Sequence, residues 1–328
     1  MVLTSGRTVV VTGARGFLGR ALVPELAHSG FAVRGLVRTL DGDTAARAQF
    51  VATGDLCSCS DAELDNALRG ASAVVHLAGL AHRPLGGEDT SLAALRRTNV
   101  DTTQRLALAA ARMDVQCFVF ASSVKVNGEL SLPGRPLRES DPPTPADAYG
   151  ESKWQAERAL ADVAARTGLR VAALRLPLCY GPGVKANVAA LARAVRRGMP
   201  LPLASVANRR SVLGAGNFAA AVVALLASAE RLGAARVDTY FVADAQSVSS
   251  ADLVRGIARA MRVTPRLWPL APGALRFAAA TLGRSEMIER LLDTLEVDTT
   301  AFRSAFDWSP PYSLDQGLAA AFGAPAPL

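Results

Sequence analysis

The chain has 328 residues, of which 50% are hydrophobic and 20% are charged, a composition typical of a globular protein with a large buried core. Its net charge is +7, but aromatic residues make up only 5% and the arginines are scattered along the chain, which argues against a nucleic-acid partner. The four cysteines lack metal-finger spacing, so we expect no bound metal. The longest apolar run, Phe218 to Ala227, is too short to span a bilayer, and no leader precedes the first strand. We therefore expect a cytoplasmic protein without firm membrane association.

The first predicted element is a buried strand over Thr8 to Thr12, which leads through a glycine-rich turn into a helix. Glycines at three-residue spacing let a pyrophosphate approach the backbone, where amides and the positive end of the helix dipole attract it. The alternative is a tight turn that serves packing alone. We predict a dinucleotide-binding site that includes Gly13, Arg15, Gly16, Phe17, Leu18 and Gly19.

The second predicted strand, Phe31 to Val37, is followed by Arg38. Dinucleotide folds place an acidic residue there to hold the adenosine ribose of NAD, and this chain has none. Arg15 brings a second guanidinium to the same corner. Because a guanidinium fork matches the geometry of a phosphate, we predict NADP in preference to NAD. The alternative is that both arginines are ordinary surface residues.

A weak third strand over Phe50 to Thr53 is followed by Asp55 and Leu56, which we predict to lie at the adenine. The Asp55 carboxylate would accept a hydrogen bond from the adenine amino group, or it would cap the helix that begins near Ser60.

The fourth predicted strand is Ala73 to Leu77, and small residues at its carboxyl end let the cofactor lie close to the backbone. We predict His76, inside this strand, to be a hydrogen-bonded core residue, and His82, in the following loop, to face the substrate. The predicted cofactor contacts at this strand are Leu77, Ala78 and Gly79.

A long helix is predicted over Leu92 to Arg112, with Asn99 in its first half. The Asn99 amide would meet the backbone beside the nicotinamide or would cap a helical break. Ser123 stands at the carboxyl end of a fifth strand over Phe118 to Ala121. The proline-rich stretch from Leu130 to Ala148 predicts an irregular loop beside the active site, a partial lid.

Tyr149 opens the next predicted helix, and Lys153 lies four residues later on the same helical face. After a sixth strand over Leu169 to Leu174 the regular alternation of strands and helices ends. We therefore predict an α/β protein: a Rossmann-type, doubly wound parallel sheet over residues 1–176, and a smaller, mostly helical substrate lobe over 177–328, some segments of which return to the first domain.

Ser123, Tyr149 and Lys153 converge on the carboxyl end of this sheet. A phenol has a pKa near 10, and an ammonium one helical turn away favours the phenolate, so Tyr149 would exchange a proton with a substrate oxygen. Ser123 would hydrogen-bond the same oxygen, and Lys153 would also bond the nicotinamide ribose. The cofactor would carry the hydride.

These motifs resemble the extended short-chain dehydrogenase/reductases of the nucleotide-sugar epimerase/dehydratase group. The motifs concerned are T-G-A-R-G-F-L-G, G-D-L, V-V-H-L-A-G, Y-G-E-S-K, L-R-L-P and D-W-S-P, which together span most of the chain. The segments A-S-S-V-K-V-N-G-E and N-R-R-S are similar to the bacterial branch of UDP-sugar 4-epimerases and 4-keto reductases of surface polysaccharide synthesis. The resemblance implies a UDP-sugar substrate whose diphosphate contacts Asn187 and Arg210.

The sequence departs from the family pattern at two places. The 4,6-dehydratases have an Asp-Glu pair where this chain has Val124 and Lys125, so the acid and base for eliminating water are missing. We predict these two residues to contact the substrate instead, and Pro177 to contact the cofactor. Leu178 stands where many relatives have an asparagine, which removes one expected sugar or phosphate contact.

The two arginines at the ribose corner favour a reductase that consumes NADPH over an epimerase that retains NAD. A non-catalytic NADP sensor and a steroid-type ketone reductase are further alternatives. The resemblance also implies a homodimer joined through a four-helix bundle. Its candidate contacts, each of which would otherwise belong to the core, are Leu106, Ala110, Trp154 and Leu160.

Overall fold

The computed structural model describes residues 6–40, 48–80, 91–281 and 285–323. Seven strands form one parallel sheet with the order β3-β2-β1-β4-β5-β6-β9, and a separate pair, β7-β8, lies outside it. The strands are β1 Thr8–Thr12, β2 Ala32–Val37, β3 Ala48–Ala52, β4 Ala73–His76, β5 Cys117–Ser123, β6 Arg170–Leu176, β7 Leu178–Tyr180, β8 Val212–Gly214 and β9 Val237–Phe241.

Helices lie on both faces of the seven-stranded sheet and form much of the C-terminal part of the chain. They are α1 Phe17–His28, α2 Asp61–Leu68, α3 Leu92–Leu95, α4 Thr102–Arg112, α5 Ala148–Thr167, α6 Ala186–Arg196, α7 Ala215–Ala227, α8 Ser250–Met261, α9 Pro272–Thr281, α10 Ser285–Leu292, α11 Thr300–Phe306 and α12 Leu314–Phe322. A π-helical segment, Arg96–Asp101, joins α3 to α4.

The central strands are buried on both faces, which explains their uninterrupted apolar sequences. One core packs α1 and α7 against the sheet through residues such as Val11, Leu22 and Phe218. A second core packs α2, α4 and α5 on the opposite face, with Val10 and Leu160 among its members. This double covering confirms the predicted doubly wound α/β fold.

The strand order reverses between β1 and β4, because β2 and β3 extend the sheet to one side and β5, β6 and β9 extend it to the other. The connections from β1 and β4 therefore diverge and leave a crevice at the carboxyl ends of these strands. In open α/β sheets, ligands bind at this point.

A third apolar cluster lies in the C-terminal part of the chain and packs α6, α8 and α12 around Tyr180, Val195 and Ile257. The short elements β7, β8, α10, α11 and α12 were not predicted from the sequence. β9 lies within the predicted substrate lobe, yet it pairs with β6 and completes the main sheet, with Val171 opposite Val237.

The proline-rich segment contains no helix or long strand, as predicted. The backbone amide of Thr144 donates to the carbonyl of Val126, in the turn after β5, and the Phe241 amide of β9 donates to the Glu139 carboxylate, so two points of the segment are held beside the sheet.

The proposed dimer contacts are largely internal. Leu106, Ala110 and Leu160 are fully buried within one chain, in the core between α4 and α5, so they cannot form an interface, and only Trp154 remains partly exposed. Among the described residues, no helix has the length and apolar character needed to cross a membrane.

Candidate active site

The glycine turn lies at the carboxyl ends of β1 and β4. Gly13 has φ +65°, and a Cβ there would lie 2.9 Å from the Ala78 nitrogen. A Cβ on Gly19 would lie 2.3 Å from the Gly13 carbonyl oxygen, so any side chain would block this approach of backbone to backbone. Among the described residues, no side chain caps the first turn of α1, whose N-cap is Gly16. Its amides are therefore available to an anion.

Thr12 connects the ends of β1 and β4. Its hydroxyl oxygen accepts from the Leu77 and Ala78 amides at 3.2 and 3.1 Å, and it lies 2.7 Å from Nδ1 of His76. His76 also contacts Thr103, and burial lowers the pKa of His76 to about 3. The imidazole is therefore neutral and internal, which confirms the prediction of a hydrogen-bonded core histidine.

Arg15 and Arg38 both lie near the end of β2. Arg15 donates from Nη1 to the Thr39 carbonyl at 3.1 Å, and its guanidinium lies 5.2 Å from the centre of the Phe50 ring. Arg38 follows β2 directly and is exposed. The corner beyond β2 therefore has two guanidinium groups in its immediate surroundings.

Asn99 lies in the π-helical segment and is buried. Its amide oxygen accepts from the Leu80 nitrogen at 2.8 Å, and its amide nitrogen donates to the Leu80 carbonyl and to the Ser152 hydroxyl. These bonds occupy both donors and hold the loop after β4 against α5. Asn99 therefore meets the backbone beside the crevice, the first of its two predicted roles, and a direct contact with the cofactor stays a prediction.

Lys153 is buried, and its ammonium donates to the Ala121 carbonyl at 2.9 Å. A Cβ on Gly79 would lie 3.5 Å from Nζ of Lys153, so the loop after β4 lies directly beside the ammonium. The ammonium also lies 4.6 Å from the Phe120 ring centre and 5.9 Å from that of Tyr149. Burial lowers the pKa of Lys153 to about 8, against the opposing effect of Glu157.

Tyr149 lies one turn before Lys153 on α5 and is half-buried. Burial raises the pKa of Tyr149 to about 12, and a hydrogen bond with Ser123 lowers it only in part. The structure thus brings together Ser123, Tyr149 and Lys153 as predicted. It differs from the expectation in one respect, since burial raises the pKa of Tyr149 and the free phenol stays protonated at neutral pH.

Lys125 follows Ser123 in a short 3-10 turn, and its ammonium forms ion pairs with Asp147 and Glu129. Asp147 is the N-cap of α5, where its carboxylate accepts from the Gly150 amide at 2.7 Å. Lys125 therefore holds the start of the tyrosine-bearing helix. The Val124 side chain is buried in a small apolar cluster, and its contact with substrate stays a prediction.

A buried ionic network lies behind the same residues. Arg175 on β6 contacts both carboxylate oxygens of Glu157, at 3.0 and 2.6 Å, and both side chains are 4% exposed. Ser122 donates to the same carboxylate, and Arg175 donates to Asn127 at 2.8 Å. Glu157 lies one turn after Lys153, so this network joins α5 to β5 and β6.

The family model for the NAD dependent epimerase/dehydratase family matches residues 9–240, which include the whole of this site. The chain belongs to this family. That finding confirms the resemblance stated from the motifs.

Relatives that align over almost the full length differ in their named activities. A UDP-glucose 4-epimerase from Vibrio cholerae is 33% identical over 95% of this chain and 93% of its own length. A ceramide reductase from Caulobacter vibrioides is 28% identical over 98% of this chain and 92% of its own length. The solved structure of MoeE5 in complex with UDP-glucuronic acid and NAD has a TM-score of 0.75 and 28% identity, with 96% of this chain and 97% of that chain covered.

The remaining predicted residues of this epimerase/dehydratase family member are more dispersed. Asp55 is exposed and accepts from the Cys57 amide at 3.1 Å, while the helix near it is capped by Ser60 instead. Leu56 is partly buried against the core. Pro177 is buried between β6 and β7. His82 lies outside the described residues.

The two predicted diphosphate contacts lie in the C-terminal part of the chain. Asn187 is exposed in the first turn of α6. Arg210 is half-buried, pairs through its backbone with Val248 and Leu295, and donates from Nη1 to the Asp293 carbonyl at 3.1 Å.

Sequence reasoning missed three residues at this family site. Asp147 precedes a helical pattern, as N-cap residues do, and that signal was present. Glu157 follows Lys153 at a spacing of four residues, which also indicated a shared face. Cys179, whose proximity helps to raise the pKa of Tyr149, carried no recognisable signal.

Proposed function

We propose that this protein is an NADP-dependent reductase that acts at C4 of a UDP-linked 4-keto-6-deoxy sugar. The arrangement of Ser123, Tyr149 and Lys153 beside a glycine turn supports an oxidoreductase. The single observation that carries the choice of a reductase is the presence of two arginines, Arg15 and Arg38, at the end of β2.

The residues present fit a dinucleotide. The amides at the start of α1 and the open backbone of Gly13 and Gly16 would hold the pyrophosphate. Arg15 and Arg38 would hold the 2′-phosphate. Lys153, which lies beside Gly79, would donate to the nicotinamide ribose. When bound, the cofactor supplies the hydride.

The chain's own residues would position the ketone oxygen and supply its proton. Ser123 would donate a hydrogen bond to the ketone oxygen and fix its position, and Tyr149 would transfer its phenolic proton to that oxygen as the carbon is reduced. The ketone thus gains one hydride and one proton and becomes an alcohol, while Tyr149 recovers its proton from water. A pKa near 12 suits this direction, because the phenol begins the reaction protonated.

A UDP-linked substrate is supported by two similar proteins: the UDP-glucose 4-epimerase from Vibrio cholerae and MoeE5, whose structure is a complex with UDP-glucuronic acid. A diphosphate would contact Arg210 and Asn187, which lie in the C-terminal part of the chain. We place this reaction in surface polysaccharide synthesis in the cytoplasm. We also propose that residues 177–328 form mainly the substrate lobe and that the enzyme is a homodimer, which sedimentation equilibrium would test.

The test of the reductase is direct. Purified protein is mixed with NADPH and a UDP-4-keto-6-deoxyhexose, and loss of the reduced-nicotinamide absorbance is followed together with the product by mass spectrometry. We expect equal amounts of NADPH consumed and 4-hydroxy sugar formed. Absence of both, with an enzyme shown to bind NADPH, would reject the proposal.

A 4-epimerase is the second candidate, and the 33% identity to the Vibrio cholerae UDP-glucose 4-epimerase favours it. An epimerase would invert C4 of UDP-glucose or UDP-N-acetylglucosamine with no added cofactor, because it removes and returns the same hydride. Inversion without net consumption of NADPH would therefore replace the first proposal with this one.

A further inference from the structure

One face of the C-terminal part of the chain combines exposed aromatic and basic side chains. We call it the basic–apolar face; it comprises Arg196, Arg197 and Met199 at the end of α6, Arg266 and Trp268 in the loop before α9, and Phe277 on α9. Trp268 is 44% exposed and Phe277 is 76% exposed. Exposed large apolar groups beside charged ones are typical of interaction surfaces.

Backbone pairing holds the parts of this face together. The Leu201 amide donates to the Arg266 carbonyl at 2.8 Å, and the Trp268 amide donates to the Leu201 carbonyl at 3.1 Å. Beneath them, Leu267 and Leu275 pack against the same apolar cluster. The end of α6, the loop and α9 therefore share one underlying core.

The charge of this face is of one sign. No acidic residue occurs between residues 163 and 229 or between 253 and 285, the two stretches that supply the face. Within the described ranges, none of Arg196, Arg197 and Arg266 forms an ion pair, whereas Arg276 on the neighbouring surface is paired with Asp293. Three exposed guanidinium groups thus have no carboxylate partner among the residues that the structure describes.

We propose that the basic–apolar face docks on the surface of an anionic lipid bilayer. Aromatic rings and short apolar helices enter the boundary between headgroups and acyl chains, and arginines bind the anionic headgroups. Helix α9 has ten residues, too few to span a bilayer, so the protein would lie on the membrane. Two copies joined through this face would oppose unpaired arginines, which disfavours self-association.

The face adjoins the predicted substrate site. Arg276 of α9 contacts the Asp293 carboxylate at 2.6 Å, and the Asp293 carbonyl accepts from Arg210. Docking would therefore bring the region of Arg210 to the membrane surface. The inference does not rest on the proposed function, because the face is defined by exposure and charge alone.

Vesicle flotation tests the proposal with the full-length protein. Vesicles of phosphatidylcholine mixed in equal parts with phosphatidylglycerol are compared with vesicles of phosphatidylcholine alone. We expect flotation with the anionic vesicles only, and release at high salt. Arg196→Glu combined with Arg197→Glu should weaken binding roughly twentyfold or more, since each basic residue contributes roughly fivefold. Phe277→Ser should weaken it on the order of tenfold.

Matched variants come from an exposed turn elsewhere in the chain. Leu132 is 64% exposed and Arg135 is also exposed, so Leu132→Ser and Arg135→Glu change the same properties outside the face. They should leave vesicle binding unchanged, and circular dichroism checks that all variants are folded. The proposal fails if the wild type does not float with anionic vesicles or if face and control variants lose vesicle binding equally. It also fails if the face binds an acidic protein and not the anionic vesicles when both are present.

Discussion

The ammonium of Lys125 forms an ion pair with the carboxylate of Asp147, the residue that caps the helix bearing Tyr149. Lys125 is only two residues from Ser123. Its side chain therefore connects the turn that bears Ser123 to the helix that bears Tyr149. Gly150 completes the contact, because a Cβ there would lie 2.7 Å from the Lys125 carbonyl oxygen.

We expect Lys125→Met to lower kcat of the proposed reduction roughly tenfold to a hundredfold, because small displacements of reacting groups are costly. KM for NADPH should change little, since the glycine turn is distant in sequence and held by other contacts. Arg112→Met is the matched control, as it removes the Arg112–Asp65 ion pair on the surface. An unchanged kcat in Lys125→Met would show that the ion pair does not position Tyr149.

Tyr149→Phe should reduce turnover by a factor on the order of a hundred to ten thousand, because it removes the proposed proton donor. Binding of NADPH, measured by fluorescence titration, should stay nearly unchanged. Tyr240→Phe provides the comparison, since Tyr240 packs on Phe302 and Phe306 away from this site. Equal turnover in both variants would remove Tyr149 from the mechanism.

The rate of reduction should fall as the pH rises through about 8, where the buried Lys153 loses its proton. Below that value Lys153 is an ammonium that supports the cofactor ribose and the developing phenolate; above it, the charge is absent. Tyr149, with a pKa of about 12, stays protonated over the same range and therefore does not change the pH dependence of the rate there. The measurement is kcat/KM against pH.

Lys153→Arg retains the positive charge at all these pH values. Its profile should lack the fall near pH 8 even if its overall rate is lower. A fall that persists in Lys153→Arg would assign the titration to another group.

Arg38→Asp should change the cofactor preference. It replaces an exposed guanidinium after β2 with the carboxylate that suits a free 2′-hydroxyl. We expect kcat/KM for NADPH to fall roughly tenfold to a hundredfold, because that factor corresponds to the free energy of one charge-assisted hydrogen bond. We expect kcat/KM for NADH to rise. Arg69→Asp makes the same charge change at another exposed arginine and should leave the ratio of NADPH to NADH unaltered. A constant ratio in Arg38→Asp would contradict the assignment of NADP.

Arg175→Met should lower the free energy of unfolding by about 3–5 kcal/mol, because it leaves the buried Glu157 carboxylate without its cation. Urea denaturation followed by circular dichroism measures this change. The double variant Arg175→Met with Glu157→Leu should recover much of the loss, since the carboxylate that lacked its guanidinium partner is then also removed. Additive losses in the double variant would show that the pair does not act as a unit.

Much of the fold and part of the site followed from local patterns in the sequence. The valine-rich run at β1, the glycines after it and the four-residue spacing of Tyr149 and Lys153 report backbone preference, turn geometry and helical periodicity. Each depends on residues within a few positions of one another. Such signals remain visible in a sequence without any knowledge of the fold.

Only the tertiary structure decided which partners the polar side chains acquired. Lys125 forms an ion pair with Asp147, Asn99 accepts from the Leu80 amide, and Glu157 pairs with Arg175 from another strand. The exposure of Phe277 likewise depends on which surfaces α9 covers. The physical reason is that the partner and the burial of a side chain depend on elements brought together from distant parts of the chain, whereas helix and strand formation depends on near neighbours.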